Sequence, residues 1–311
     1  MPSSALRVDT AAPPGACSLA GGAFHAALGR AAIGALYDEL ALEPKPGLVS
    51  FADAGSHRDM DAGTFLRSLF ALRHFFVRVA AQGAASAEFA PLAVLGIAAE
   101  ARMLHATGGV NTHRGAIFTL GLLGAAAGAA RASGLACDPA RLRGTLMARW
   151  GVALAARAET TRESHAACAA MAHESHGARA AREHGLRSAA DEAAQGLPTL
   201  FDHVLPALRA ARRAGADERG ARLHALFTAM AEVDDTNLVH RGGLQGLGDA
   251  KSLARRFLAE GGGMSSDAVA RAACVHAVFV ERRLSPGGAA DLLAAACWVD
   301  RVERLHGGVA P

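Results

Sequence analysis

Residues 115–130, Gly-Ala-Ile-Phe-Thr-Leu-Gly-Leu-Leu-Gly-Ala-Ala-Ala-Gly-Ala-Ala, contain no charged side chain. Ala and Leu favour a helix, and this one is apolar on every side. Such a helix must be wrapped by protein or by lipid. A membrane span needs about 20 consecutive apolar residues, whereas this run is shorter and broken by Gly. The run therefore predicts a central helix, buried over 117–127, around which the rest of the chain packs.

The neighbours for that helix are visible as stripes of period 3.6. Phe65, Leu69, Leu72, Phe76 and Val79 recur at helical spacing, with Arg67, His74 and Arg78 on the other side. Leu200, Phe201, Val204, Leu205 and Leu208 form a second stripe, with Arg209, Arg212 and Arg213 outside it. Leu223, Leu226, Phe227 and Met230 form a third, and residues 289–305 a fourth. Segments 24–40, 91–104, 139–158 and 267–283 also read as helices, with breaks near 133–138, 214–219 and 260–265. Aromatic residues are 5% of the chain and β-branched residues are sparse, which argues against a sheet. The expected fold is all-α: one globular multi-helix domain over 23–311, preceded by a flexible tail over 1–22 rich in Pro, Ser, Ala and Gly.

Charge and cysteine narrow the partners and the compartment. The 32 basic and 29 acidic residues are spread along the chain for a net +3, which is not the footprint of a nucleic-acid binder. No membrane partner is expected. Cys17, Cys137, Cys168, Cys274 and Cys297 contain no C-x-x-C pair, so they read as reduced thiols of a cytoplasmic protein. Residues 163–184 hold His165, His173, His176 and His184, but no zinc pattern is completed there. Residues 175–178 are a candidate further ligand loop.

Four polar, Gly-containing loops interrupt the helices. They span 43–61, 107–115, 234–243 and 285–291, and the first three each carry a His-Arg dipeptide. Gly lets backbone approach a ligand closely. Helix starts favour anions. Lys45, Arg58, Arg114 and Arg241 suit phosphate oxygens. Asp59, Asp61, Asp234 and Asp235 offer oxygen ligands for Mg²⁺. Taken singly, each loop also fits a helix cap or a solvated turn. Their concurrence points to a nucleotide polyphosphate, held without a P-loop, since no G-x-x-x-x-G-K-[ST] occurs.

The motifs E-P-K-P-G-L-V (43–49), G-S-H-R-D-M-D (55–61), T-G-G-V-N-T-H-R-G-A-I-F-T-L-G-L-L (107–123), D-D-T-N-L-V-H-R-G-G (234–243) and S-P-G-G-A-A-D-L-L (285–293) occur in one order. They resemble the signatures of triphosphoribosyl-dephospho-coenzyme A synthases, over about residues 28–302. The resemblance implies an all-helical fold and Mg²⁺. It also implies a reaction in which ATP and 3′-dephospho-coenzyme A give 2′-(5″-triphosphoribosyl)-3′-dephospho-coenzyme A and adenine. That product is the precursor of the prosthetic group on the acyl carrier subunit of malonate decarboxylase or citrate lyase. Residues 35–51, the H-R-G-G motif and A-A-A-C-W (294–298) look closer to the malonate decarboxylase branch.

Chemistry of this class needs phosphate contacts, a base for the 2′-hydroxyl and a water-free site. Lys45, Arg58, His113, Arg114 and Arg241 are expected on phosphates, with Gly47, Gly108 and Gly109 allowing close approach. Asn111, Thr112 and Asn237 are expected to position substrate. Asp61, Asp234 and Asp235 are the expected Mg²⁺ ligands, and Glu43, His57 and Asp59 the candidate bases. Two other classes stay open: a Mg²⁺-dependent hydrolase of ADP-ribosyl or nucleotide glycosidic bonds, and a helical interaction protein.

Overall fold

A computed structural model describes residues 21–167 and 184–307. The expected tail lies outside them except for its last two residues, which open the first helix; residues 175–178, His173 and His176 also lie outside. Every regular element among the described residues is helical, as the composition requires. In order they are α1 (Gly21–Ala41), α2 (Ala62–Ala85), α3 (Phe89–Thr107), α4 (Arg114–Ala132), α5 (Pro139–Ala167) and α6 (Ala189–Ala194). A π-helical turn, Thr199–Val204, then runs into α7 (Leu205–Arg213). The chain continues with α8 (Glu218–Glu232), α9 (Thr236–Ala259), α10 (Ala268–Glu281) and α11 (Gly287–Gly307).

The uncharged run is α4, and it sits in the core. All of Thr119–Ala130 is buried, and so are Ala116 and Ile117; Phe118 alone in this stretch is partly open. Small residues let α2 and α4 approach backbone to backbone. A Cβ on Gly128 would stand 1.9 Å from the Ala80 carbonyl, and one on Gly83 would stand 2.2 Å from that of Ala125. The α2 stripe faces α4 through Leu69, Leu72, Phe75, Phe76 and Val79, while Arg67, His74 and Arg78 are exposed. By length and composition α3 and α4 are each apolar enough to cross a membrane; α4 is enclosed by protein, and α3 packs on α2 and α4 along one side.

The last helix closes the core. Trp298 of α11 is buried and donates from Nε1 to the Leu28 carbonyl of α1 at 3.2 Å. The arginines outside the second stripe are not idle: Arg209 and Arg212 of α7 both reach Asp300 of α11, at 3.3 and 2.6 Å. Arg222 of α8 and Arg301 of α11 share Asp38 of α1. One further irregularity matters below. α9 is kinked at Gly243, whose φ of 64° is left-handed.

The close α2–α4 contact is testable. Ala is normally a better helix residue than Gly by about 1 kcal/mol. Gly128→Ala should nevertheless lower stability by about 1–3 kcal/mol, because the new methyl meets backbone. Gly248→Ala, in open space on α9, should be neutral or stabilising. The urea midpoints of the two variants check this.

Candidate functional site

The α10–α11 turn and the first turn of α11 gather the conspicuous loops. The α1–α2 loop lies directly on them: a Cβ on Gly47 (φ 65°) would fall 2.0 Å from the Leu284 carbonyl. Ser56 Oγ bonds the same carbonyl at 2.6 Å and the Phe279 carbonyl at 3.0 Å. Asp235, the N-cap of α9, accepts from the N–H groups of Asn237 (2.9 Å) and Leu238 (3.4 Å). Its other oxygen accepts from Ala289 N–H at 3.1 Å, and Gly288 N–H also donates to it. The starts of α9 and α11 thus share one buried carboxylate. The Asn237 amide packs against Gly287, where a Cβ would come within 2.8 Å of Nδ2.

Asp291 then projects from the first turns of α11 onto the start of α4. It accepts from Ala116 N–H, and a Cβ on Gly115 would lie 1.9 Å from its Oδ2. This explains Gly in T-H-R-G: the position is reserved for a neighbouring carboxyl. Burial, then the charges of Glu39 and Asp235, push the Asp291 carboxyl well above the ordinary carboxylate range, against the pull of Ala116 N–H. Asp291 nevertheless keeps some surface open, whereas Glu39 and Asp235 are buried.

Next to this carboxyl, three consecutive residues carry a buried polar atom with no hydrogen-bond partner: Thr112 Oγ1, His113 Nε2 and Arg114 Nε. Buried polar groups are normally satisfied, and here three orphans fall in succession at one helix start. His113 is fixed by Ser68 Oγ at Nδ1 (2.7 Å) and by the Phe65 ring, 4.9 Å away edge-on. Burial, with Lys45 nearby, lowers its pKa to about 3, so the imidazole is neutral.

The other expected residues divide into several groups. Lys45 is sealed in the core, donating to the Glu39 carbonyl at 2.6 Å and to the Glu39 carboxylate. Its ammonium braces the interior instead of facing a phosphate. Glu43 turns toward Arg219, 3.9 Å away on the surface. Gly108 and Gly109, with φ of 70° and 92°, end α3, and nothing lies within 4 Å of a Cβ on either. Asn111 Oδ1 accepts from Arg114 N–H at 3.1 Å, and the Arg114 guanidinium pairs with Glu100 of α3. Part of the α4 start expected to face phosphates is therefore occupied by Asn111 and Asp291.

The expected Mg²⁺ ligands are not brought together as a set. Asp61 caps α2 by accepting from Thr64 N–H and Oγ1, both at 2.8 Å. Asp234 pairs with Lys251 Nζ at 2.8 Å and accepts from Arg187 N–H at 3.4 Å. Asp235 is saturated by backbone. Among the described residues, no group of three or more His, Cys, Asp or Glu side chains is placed to hold a metal ion.

His57, Arg58, Asp59 and Arg241 meet at the outer rim. His57 Nδ1 lies 3.0 Å from Arg241 Nη2, which can only donate, so Nδ1 is the acceptor. Nε2 then carries the proton and donates to Ser285 Oγ at 2.9 Å. Burial, with the Arg241 charge, lowers the His57 pKa to about 4. With Nδ1 engaged and Nε2 protonated, His57 positions the α11 turn and has no free lone pair for a base. Asp59 is exposed, 3.7 Å from Nδ1. In the sequence Asp291 and Ser285 stand out only as members of the fourth loop, and Glu39 and Ser68 carry no signal of their own. None of these lies in a local pattern that marks it as a partner of a distant helix.

A pH dependence follows. His113 and His57 titrate near 6.5 when unfolded but at about 3 and about 4 in the fold. Between those limits the unfolded chain binds more protons, so stability must fall as pH drops from 6.5. Each histidine contributes up to about 1.4 kcal/mol per pH unit across its window. Urea unfolding at pH 7, 6 and 5 should show the decline, and His113→Asn should make it shallower.

Comparison with known proteins identifies the family. A family model described as ATP:dephospho-CoA triphosphoribosyl transferase matches residues 25–309. A relative from Azotobacter vinelandii named "Probable 2-(5''-triphosphoribosyl)-3'-dephosphocoenzyme-A synthase" is 41% identical over 286 residues, covering 89% of this chain and 91% of the relative. Proteins of the same name from Acinetobacter calcoaceticus (35% over 269 residues; 86% and 88% covered) and Vibrio cholerae (38% over 274 residues; 86% and 85%) are also similar. No solved structure matches the chain. The family match spans every loop that meets at the α11 start, and the chain belongs to the ATP:dephospho-CoA triphosphoribosyl transferase family.

Proposed function

We propose that this protein transfers the 5-triphosphoribosyl unit of ATP to the 2′-hydroxyl of 3′-dephospho-coenzyme A, releasing adenine. The observation that carries the reading is the cluster of orphaned polar atoms on Thr112, His113 and Arg114 beside Asp291, a residue that keeps some surface open. In family members of this kind the bond broken is C1′–N9 of ATP, so a proton must reach the departing base and a dry site must exclude water. Asp291 is the acid in this scheme. Glu39 and Asp235 crowd it, and crowded carboxyls hold a proton. The C1′–N9 electron pair leaves with adenine, which takes the Asp291 proton. The acceptor 2′-oxygen bonds to C1′, and its proton restores Asp291.

Thr112, His113 and Arg114 hold the ribose triphosphate, and Asn237 with the α11 turn lines the acceptor side. Magnesium fits as a companion of the triphosphate, whose charge it neutralises, since Mg²⁺ is commonly held by substrate phosphates with few protein ligands. The residues here do not form a protein-built cage. The product's destination is the acyl carrier subunit of malonate decarboxylase, a reading supported by the stretch 35–51 and the A-A-A-C-W segment of α11. Dependence on ATP and dephospho-coenzyme A supports a cytoplasmic setting for the reaction.

The test is adenine release, measured with ATP and Mg²⁺ in the presence and absence of dephospho-coenzyme A. Acceptor-dependent release is expected; equal release without acceptor would make the protein a hydrolase. Asp291→Asn keeps an acceptor for Ala116 N–H but loses the transferable proton. It should lower kcat by about 100-fold or more, with the melting temperature unchanged or raised, because Asn removes the cost of keeping a buried carboxyl protonated that would ionise in the unfolded chain.

A further inference from the structure

The outer rim contains a pocket of about 220 Å³ lined by Gly55, Ser56, His57, Arg58, Val280 and Arg283. We infer that it is a binding site for a phosphoric anhydride chain, the di- or triphosphate of a nucleotide ester, gripped by the guanidinium groups of Arg58 and Arg283.

The backbone of Arg283 is the first reason. Arg283 follows the C-cap of α10 with a φ of 56°, and Leu284 N–H closes the helix end on the Phe279 carbonyl at 2.9 Å. Left-handed backbone at this place is the province of Gly. The chain obeys that rule elsewhere: Gly134, Gly215 and Gly261 occupy the equivalent places after α4, α7 and α9, with φ of 72°, 90° and 99°. After α10 it carries an arginine in the disfavoured conformation, and that arginine lines a pocket. Strained backbone maintained against an available alternative points to a role for the side chain.

The second reason is that the two cations are unspent. Arg58 and Arg283 are exposed, and among the described residues neither guanidinium has a hydrogen-bond or ion-pair partner. No acidic residue lines the pocket. Two planar forks facing one cavity match the oxygens of a phosphate chain.

The third reason is bracing. Arg241 spans the two walls, donating from Nη1 to the Ser56 and Arg283 carbonyls, both at 3.3 Å, and from Nη2 to His57. The Gly243 kink ends the short helical stretch that presents Arg241. Arg241 thus holds the pocket open, and Arg58 and Arg283 are left to bind.

Which substrate supplies the phosphates depends on the function proposed above; the pocket's affinity for phosphate chains does not. Calorimetric titration of the full chain with sodium tripolyphosphate and with pyrophosphate is the first test. At least one should bind the wild type, and Arg58→Ala and Arg283→Gly should each weaken it by about 10-fold or more. Arg283→Gly relieves the left-handed strain, so its melting temperature should hold or rise while affinity falls. No binding by wild type, or equal binding by wild type and both variants, would overturn the inference. In the adenine-release assay, a raised KM for ATP alone assigns the pocket to the triphosphate. A raised KM for dephospho-coenzyme A alone assigns it to the acceptor's diphosphate. If wild type releases no adenine, the proposed reaction fails, while the titrations still decide the pocket.

Discussion

The site depends on one buried carboxylate. Asp235 lies at the start of α9 and takes N–H groups from both α9 and α11. An unpaired charge in that position would cost several kcal/mol, so the carboxylate is tolerated only while its donors surround it. Its donors belong to two helices far apart in sequence. The two starts must therefore meet, and their meeting sets the rotation of α11 that lays Asp291 against α4. Asp235 accepts backbone N–H groups from two helix starts where the sequence suggested a metal ligand.

The central helix makes that geometry possible. α4 is built from Gly, Ala and Leu, so α2 can approach within backbone contact at Gly83 and Gly128. The same economy of side chain at Gly115 leaves room for the Asp291 carboxyl. Packing and chemistry thus impose the same demand for small residues on one helix. At its start His113 is held by Ser68 and Phe65 and Arg114 by Glu100, while Thr112 Oγ1, His113 Nε2 and Arg114 Nε stay unsatisfied.

Charge is divided between interior and rim. Lys45 has no exposed side chain and its ammonium is spent on Glu39, whereas among the described residues the Arg58 and Arg283 guanidinium groups at the rim have no partner. The compact ammonium sits against a buried carboxylate, and the planar guanidinium groups stay exposed at the rim. Arg241 commits its donors to two carbonyls and an imidazole, and so ties the α1–α2 loop to the α10–α11 turn.

The fold was legible in the residues, because helix formation and burial are periodic and local. The uncharged run over 115–130 demanded a central helix, the stripes at 65–79, 200–208 and 223–230 demanded neighbours for it, and the breaks near 133–138, 214–219 and 260–265 separated them. The loops that would meet were legible too, from their shared Gly, His and Arg. Which atoms meet within those loops was not. Whether Lys45 faces phosphate or Glu39, whether Asp235 binds a metal or two helix starts, and whether Asp291 touches anything are set by how helices distant in sequence are rotated against one another. Rotation is fixed by packing and by the need to satisfy buried polar groups, and those are properties of the assembled core.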